Sequence, residues 1–224
     1  MKNKLYKIAP SILAADPLNI ERDSLLAEKS GAYRLSVDVM DGHFVSDITF
    51  GSNIISKLKK LINIPVEVHL MISNPDQQID NFINTGADVI TFHFETGVDI
   101  SNLTQYIKSK NVKAGLAISP DTKIENLTPY LKEIDEVTVM TVIPGKGGQS
   151  LIPDCLKKIQ FLTEFRKKES NDFLIQVDGG VKKDNITHVF NAGADIVVAG
   201  TAVFNNHSTV EHSMNALFDK LKVS

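Results

Sequence analysis

Residues 66–93 read VEVHLMISNPDQQIDNFINTGADVITFH and contain the pattern that decides the fold. A short apolar run, Val66–Met71, predicts a buried strand, and Pro75–Thr85 then carries apolar residues at helical spacing. A turn through Gly86 leads into Val89–His93, a second apolar run. The order strand, helix, turn, strand predicts parallel strands with a helix packed on the face of their sheet.

The same alternation extends over the whole 224-residue chain. We predict eight strands, at Lys7–Leu13, Arg34–Val39, Val66–Met71, Val89–His93, Lys113–Ile118, Glu136–Val142, Phe173–Asp178 and Asp195–Ala199. We predict helical segments at Leu18–Lys29, Ser52–Leu61, Pro75–Thr85, Ile100–Lys110, Ile124–Leu131, Asp154–Lys168, Lys182–Asn191 and Ser208–Lys222. Eight units of about 28 residues each suit a (β/α)8 TIM barrel, so we expect one α/β domain over residues 1–224.

A weak internal repeat supports the barrel. Gly31, Gly86 and Gly193 each follow a predicted helix and precede a predicted strand, where glycine caps a helix end in the left-handed conformation. The competing architecture is a doubly wound open sheet, whose dinucleotide-binding form needs G-x-G-x-x-G after the first strand. Here Ser11–Asp16 follows, without a glycine, which removes most of the support for a nicotinamide cofactor.

Composition excludes several classes of protein. Hydrophobic residues make up 42% and charged residues 23% of the chain, which is ordinary for a soluble globular protein. The net charge of −3 and the absence of a basic stripe argue against a nucleic-acid partner. The chain has one cysteine and no apolar stretch near the 18 residues of a membrane helix. We therefore expect a cytoplasmic protein with no membrane partner.

Polar residues stand at the predicted ends of several strands, where the chemistry of a barrel takes place. Ser36 and Asp38 share one face of the second strand, and either they or the intervening valines face the interior. His69 lies near the end of the third strand, and Asp178 ends the seventh, just before two glycines. Because a buried carboxylate needs a partner, Asp38, His69 and Asp178 together predict a metal or acid–base site.

Glycine-rich loops follow the last three strands. They are Gly145-Lys146-Gly147-Gly148, Gly179-Gly180 and Gly200-Thr201. The loops after strands seven and eight usually hold phosphate in a barrel, through backbone N–H groups. Only three of the 24 basic residues are arginine, so an arginine cluster does not hold an anionic substrate. We therefore predict a phosphate site built from glycine-loop backbone.

Seven segments carry a family resemblance: APSILAAD (9–16), VDVMDGHFV (37–45), VHLM (68–71), VMTV (139–142), PGKGGQ (144–149), VDGG (177–180) and AGTAVF (199–204). In this order, and over essentially the whole chain, they resemble the ribulose-phosphate 3-epimerase family. The resemblance implies a (β/α)8 barrel of the ribulose-phosphate-binding type that interconverts D-ribulose 5-phosphate and D-xylulose 5-phosphate. The implied mechanism removes the proton at C3 and returns it to the opposite face of the substrate.

The resemblance also implies roles for individual residues. Asp38 and Asp178 would be the two acid–base groups, and with His69 they would hold one divalent metal ion (Zn, Fe, Mn or Co) that stabilises a cis-enediolate. Ser11 would contact the substrate, and the three glycine loops would hold its phosphate. Met40, Met71 and Met140 would cap the enediolate, since a thioether cannot donate a proton. The family forms homo-oligomers, so we expect one here.

Ser36 is the main departure from the family pattern, which has histidine, a metal ligand, at this position. Three interpretations follow. In the first, Asp38, His69 and Asp178 still hold a metal ion, at weaker affinity and with a water at the Ser36 position. In the second, His43 swings in as a ligand. In the third, the chain is a paralogue with altered substrate or reduced activity. Ile143 and Lys146 also depart from the family's Asn-Pro-Gly-Phe, which favours a related substrate such as a ketohexose phosphate.

Two other classes of protein compete with the epimerase as interpretations of the sequence. A decarboxylase of the orotidine type on a similar barrel needs D-x-K-x-x-D, and Met40 stands where its lysine is required. A non-catalytic phosphosugar-binding paralogue is supported only by Ser36, because both candidate catalytic aspartates are present. The leading hypothesis is therefore an epimerase that acts on a small phosphorylated ketose.

Overall fold

The computed structural model describes residues 6–222, so residues 1–5 and 223–224 of the predicted domain lie outside the described residues. The strands are β1 Lys7–Pro10, β2 Leu35–Met40, β3 Val66–Met71, β4 Val89–His93, β5 Lys113–Ile118, β6 Glu136–Met140, β7 Leu174–Asp178 and β8 Ile196–Ala199. The α-helices are α1 Ile20–Lys29, α2 Ser52–Leu61, α3 Pro75–Ile83, α4 Ile100–Ser109, α5 Leu156–Glu169, α6 Ile186–Ala192 and α7 Val210–Lys222. All eight predicted strands are confirmed, with small shifts at their ends.

The strands form one parallel sheet that curls into a barrel. Each strand from β2 to β7 pairs with the next strand along the chain, and β8 also pairs with β1. The sheet closes between β1 and β2, where Tyr33 N–H donates to the Ile8 carbonyl (2.8 Å) and Ser11 bridges to Ser36. The (β/α)8 prediction is confirmed, and closure rules out the open doubly wound sheet.

Two predicted elements differ from the structure. Ile124–Leu131 was expected to be an amphipathic helix like the others, but it forms a 3₁₀ helix, Ile124–Tyr130. Pro129 lies inside it, has no N–H to donate and would clash with an α-helical turn. The first strand ends at Pro10 rather than Leu13, because Ser11 Oγ accepts from Leu13 N–H and starts a short 3₁₀ turn.

Each strand has one face towards the helices and one towards the barrel interior. Val37 and Val39 belong to the apolar cluster between sheet and helices, so Ser36 and Asp38 face inward. This settles the open question about β2. The helices cover the outer face with stripes of apolar residues, such as Ile55 and Leu58 of α2. Gly31, Gly86 and Gly193 all have positive φ, as predicted for turns from helix to strand.

A charged layer fills the barrel interior beneath the strand ends. Arg34, the residue before β2, is buried and donates to Glu136 on β6 (2.9 Å), and it also pairs with Glu67 on β3 (2.9 Å). Gln176 on β7 accepts from Arg34 and donates to Glu67 (2.8 Å). Thr91 on β4 donates to Glu67 as well (2.8 Å). One guanidinium and its partners thus join four strands, β3, β4, β6 and β7, to the segment that leads into β2.

Replacing Arg34 tests this layer. The Arg34→Met variant leaves Glu67 and Glu136 buried without their cation, and we expect a loss of about 3–5 kcal/mol in the free energy of unfolding. Urea denaturation followed by circular dichroism measures it. The control is Arg22→Met, because the Arg22 side chain is 57% exposed and its ion pairs are worth at most about 1 kcal/mol. Equal effects of the two substitutions would contradict the interpretation.

Candidate active site

Three strands bring Asp38, His69 and Asp178 together at the carboxyl end of the barrel. Asp38 and His69 are register partners on β2 and β3, and Asp178 ends β7. His69 Nδ1 lies 3.3 Å from Asp38 Oδ1 and 3.2 Å from Asp178 Oδ2. The structure therefore juxtaposes the three residues that the sequence analysis selected.

Ser11 orients one of the two carboxylates. Its hydroxyl lies at the end of β1 and donates to Asp38 Oδ2 (2.6 Å). Asp38 Oδ1 is left without a hydrogen-bond partner, and it faces His69. The predicted site residue Ser11 thus contacts a predicted catalytic residue directly, and its position fixes which carboxylate oxygen is free.

Several buried polar atoms at this point have no hydrogen-bond partner. They are Ser36 Oγ, Asp38 Oδ1 and His69 Nδ1. Ser36 and Asp38 share the inward face of β2, while His69 lies beside Asp38 on β3. Unsatisfied buried groups are costly, so their concentration in one place indicates a candidate ligand-binding site.

The donor set fits a divalent cation. One atom from each of Asp38, His69 and Asp178 lies within 4.8 Å of the other two, and imidazole nitrogen with carboxylate oxygen is a common ligand combination. His43 does not join this group: it is exposed, and its Nδ1 lies against the Asp41 carbonyl of its own loop (2.9 Å). The structure therefore contains a possible Asp–His–Asp metal site, with Ser36 beside it.

The electrostatics of the group follow from burial and proximity. Burial disfavours a charged His69, but the neighbouring Asp178 and Asp38 outweigh this and raise the pKa of His69 to about 10. Burial raises the pKa of Asp178, against the opposing effect of His69, and the Asp38 charge raises it further. Positive charge between the two carboxylates, from a proton or a cation, is thus strongly favoured.

A cavity of about 310 Å³ opens above this group. Asp38 and Asp178 lie at its floor, whereas His69 lies beneath them and does not line it. Every other residue predicted for the site lines the cavity: Ser11, Met40, Met71, Met140, Gly145, Lys146, Gly147, Gly148, Gly179, Gly180, Gly200 and Thr201. The three glycine loops therefore meet the candidate acid–base pair in one cavity.

The family model for the ribulose-phosphate 3 epimerase family matches residues 7–204. The ribulose-phosphate 3-epimerase of Treponema pallidum is 38% identical over 200 residues, which cover 89% of this chain and 92% of that protein. The Bacillus subtilis enzyme of the same name is 40% identical over 201 residues, 89% of this chain and 93% of that protein. This chain belongs to the ribulose-phosphate 3-epimerase family.

Solved structures with lower identity support the fold alone. The phosphoribosyl anthranilate isomerase of Thermococcus kodakaraensis covers 98% of this chain and all of its own, with a TM-score of 0.70 and 12% identity. Thiamine phosphate pyrophosphorylase of Pyrococcus furiosus covers 99% of this chain and 97% of its own, with a TM-score of 0.67 and 17% identity. No helix within residues 6–222 is long and apolar enough to span a membrane.

Some residues around this family site were missed by the sequence analysis. Gln149 lines the cavity, and its amide donates to the carbonyls of Ile143 (2.7 Å) and Lys146 (2.8 Å), which holds the glycine loop in a closed turn. No sequence pattern predicts such a side-chain-to-backbone contact. His93 ends a predicted strand and was given no role there, although its ring contacts His69. The two-residue period of β4 was the sequence signal that could have pointed to this contact.

Gly180 is the glycine of the cavity wall that the structure constrains most. Its φ is +65°, and a Cβ there would lie 2.3 Å from the backbone nitrogen of Leu151. Gly147 lines the same cavity, yet a Cβ there would meet nothing within 4 Å. The two positions therefore form a matched pair for substitution.

We expect Gly180→Ala to lose at least about 2 kcal/mol of unfolding free energy, through strain and the clash with Leu151. We expect Gly147→Ala to be neutral or stabilising by up to about 1 kcal/mol. Chemical denaturation of both variants measures the difference. A tolerated alanine at residue 180 would show that the loops after β6 and β7 are not packed as described.

Proposed function

We propose that this chain is an isomerase that interconverts D-ribulose 5-phosphate and D-xylulose 5-phosphate. The observation that carries the proposal is the pair Asp38 and Asp178, which both face His69 Nδ1 at the floor of a cavity walled by glycine loops. The names of relatives that are 38–41% identical over most of the chain support the same reaction.

Inversion at C3 needs two acid–base groups. A single base returns the proton only to the face from which it came, so a planar intermediate must be reprotonated by a second group. Asp38 on β2 and Asp178 on β7 reach the cavity floor from different strands, and both face His69 Nδ1. In this proposal each carboxylate serves one face of the substrate, as base in one direction and as acid in the other.

Burial tunes at least one of these carboxylates. It raises the pKa of Asp178, which brings that group closer to the working pH and makes it a better partner for proton transfer. Asp38 is held by the Ser11 hydroxyl, so only its Oδ1 is free for the reaction. Ser11 thereby orients a base and lines the cavity where the substrate would lie.

The remaining walls suit a phosphorylated ketose. Backbone N–H groups of the loops Gly145–Gly148, Gly179-Gly180 and Gly200-Thr201 would hold the phosphate. Lys146 is exposed at the mouth and adds a positive charge on that side. Met40, Met71 and Met140 are almost fully buried and present thioethers that cannot protonate a carbanion. The three thioethers thus add no proton donor beside the two aspartates.

A divalent cation at this site would be held by Asp38, His69 and Asp178, because these residues each supply a ligand atom within 4.8 Å of the other two. When bound, it would act as a Lewis acid towards the negative charge that develops on the substrate oxygens. Ser36 supplies a hydroxyl beside these ligands and is a weak donor for zinc or iron. A homo-oligomer and a cytoplasmic location remain predictions.

Exchange of the C3 proton with deuterium oxide, followed by proton NMR, tests the two-base assignment. We expect the wild-type protein to exchange this proton in both ketose phosphates and to interconvert them. Asp38→Asn and Asp178→Asn should each slow interconversion by about 10²–10⁴-fold. Each variant should keep exchange with the one substrate whose proton faces the remaining aspartate.

Asp47→Asn is the matched control, since Asp47 also lines the cavity but lies away from the His69 group, and it should retain interconversion. No exchange by the wild-type protein with either substrate, at saturating divalent metal, would refute the epimerase proposal. Exchange with a ketohexose 6-phosphate but neither pentulose phosphate would favour the related-substrate alternative. Full activity of Asp178→Asn would refute the role of that residue.

Ser36→His tests the metal part of the proposal. The substitution adds an imidazole on the inward face of β2, two residues before Asp38, where the structure has an unpartnered hydroxyl. We expect tighter binding of Zn²⁺ in isothermal titration calorimetry, because an imidazole is a far better zinc ligand than a neutral hydroxyl. Unchanged affinity would mean that the cation does not bind next to Ser36.

A further inference from the structure

A second histidine lies directly behind His69. His93 ends β4, is fully buried, and places its Nε2 2.9 Å from His69 Nε2. The planes of the two rings are parallel to within 10°, and the ring centres are 5.0 Å apart. Because the nitrogens are much closer together than the ring centres, the rings meet edge to edge, which is the geometry of an N–H···N hydrogen bond.

Glu95 continues this contact towards the surface. Its Oε2 lies 3.1 Å from His93 Nδ1, and its Oε1 accepts from Ser119 N–H (2.8 Å) and Thr122 Oγ–H (2.6 Å). The Glu95 side chain is 23% exposed. Burial opposes its charge, but these hydrogen bonds outweigh burial and lower the pKa of Glu95 to about 2. Glu95 is therefore an ionised acceptor anchored to the loop after β5.

Hydrogen-bond roles then follow in sequence along the chain of contacts. An ionised Glu95 can only accept, so His93 Nδ1 carries a proton. The 2.9 Å contact between the two Nε2 atoms needs one donor and one acceptor, and a neutral His93 with its proton on Nδ1 has its lone pair on Nε2. His69 Nε2 must then donate to it, and a neutral His69 has its lone pair on Nδ1. That nitrogen is the atom that faces Asp38 and Asp178.

Packing limits the motion of this pair. The Phe44 ring, from the loop after β2, lies 4.9 Å from the His93 ring and is tilted 51° to it. His69 and His93 are both fully buried, so water does not compete for their shared hydrogen bond. The tautomer of His69 is thereby fixed by residues that do not line the cavity.

We propose that His93 and Glu95 are positioning residues: they keep a proton on His69 Nε2 and turn Nδ1 towards Asp38 and Asp178, so that Nδ1 is the nitrogen that exchanges its proton for a divalent cation. The inference rests on the metal site of the proposed function. It assigns a role to two residues that touch neither the substrate cavity nor the cation. A ligating histidine generally has its other ring nitrogen held in this way.

Glu95→Gln is the decisive variant. Glutamine has nearly the size of glutamate, but its amide can donate to His93 Nδ1. The His93 proton would then lie on Nε2, where it faces the Nε2 proton of His69. His69 would respond by moving its own proton to Nδ1, where it blocks the cation. Long-range ¹H–¹⁵N NMR of the rings, assigned with His69→Asn, reports this change directly.

We expect wild-type His69, with Zn²⁺ bound, to carry its proton on Nε2. We expect Glu95→Gln to shift the tautomers and to weaken Zn²⁺ binding by about 10–100-fold in calorimetry. Asp99→Asn is the control, because it removes a charge four residues from Glu95. In the wild-type protein the Asp99 carboxylate caps α4 by accepting from Asn102 N–H (3.0 Å), and asparagine caps a helix equally well. It should leave both measurements unchanged.

His93→Phe is the second variant, because phenylalanine fills the same space without a ring nitrogen; it should weaken Zn²⁺ binding as well. Unaltered tautomers together with Zn²⁺ affinity within threefold of wild type, in either folded variant, would overturn the positioning role. These readouts need no substrate. A wild-type protein that binds Zn²⁺ but exchanges no C3 proton would instead refute the proposed function and leave this inference standing.

Discussion

The buried guanidinium of Arg34 sets the width of the barrel interior. It pairs with Glu67 and Glu136 and contacts Gln176, so that charged hydrogen bonds join strands that are far apart in the sequence. Such a cluster is expensive to desolvate and is stable only with every partner in place. Glu67 and Gln176 lie two residues before His69 and Asp178, so the layer that satisfies Arg34 also fixes where the candidate site residues emerge.

The two inward layers differ in whether they reach the cavity. In the lower layer Gln176 donates to both Glu67 and Thr138, and Thr91 donates to Glu67. Both layers contain buried atoms without a hydrogen-bond partner, such as Arg34 Nε below and Asp38 Oδ1 above. The upper layer, however, places the carboxylates of Asp38 and Asp178 in the lining of the cavity that the glycine loops surround, and Glu67 and Gln176 do not line it. Access to this cavity is the physical basis for placing the chemistry at the upper layer.

Much of this arrangement could be predicted from the sequence. Alternating apolar runs predict the eight strands, and the position of His69 and Asp178 at strand ends predicts their convergence, because parallel strands finish at one edge. The partners of Arg34 could not be predicted: Glu136 is 102 residues away, and only barrel closure brings it near. The His69–His93 contact likewise depends on ring orientation, and the orientation of Ser36 depended on which face of β2 turned inward.

The central claim is that Asp38 and Asp178 serve opposite faces of one phosphorylated ketose. A crystal structure of the wild-type protein with Mn²⁺ and D-xylulose 5-phosphate tests it most directly. The account predicts anomalous density within bonding distance of Asp38, His69 and Asp178, the phosphate against the glycine loops, and C3 between the two carboxylates. A sugar with both aspartates on the same face of C3, or a cation bound away from His69, would contradict it.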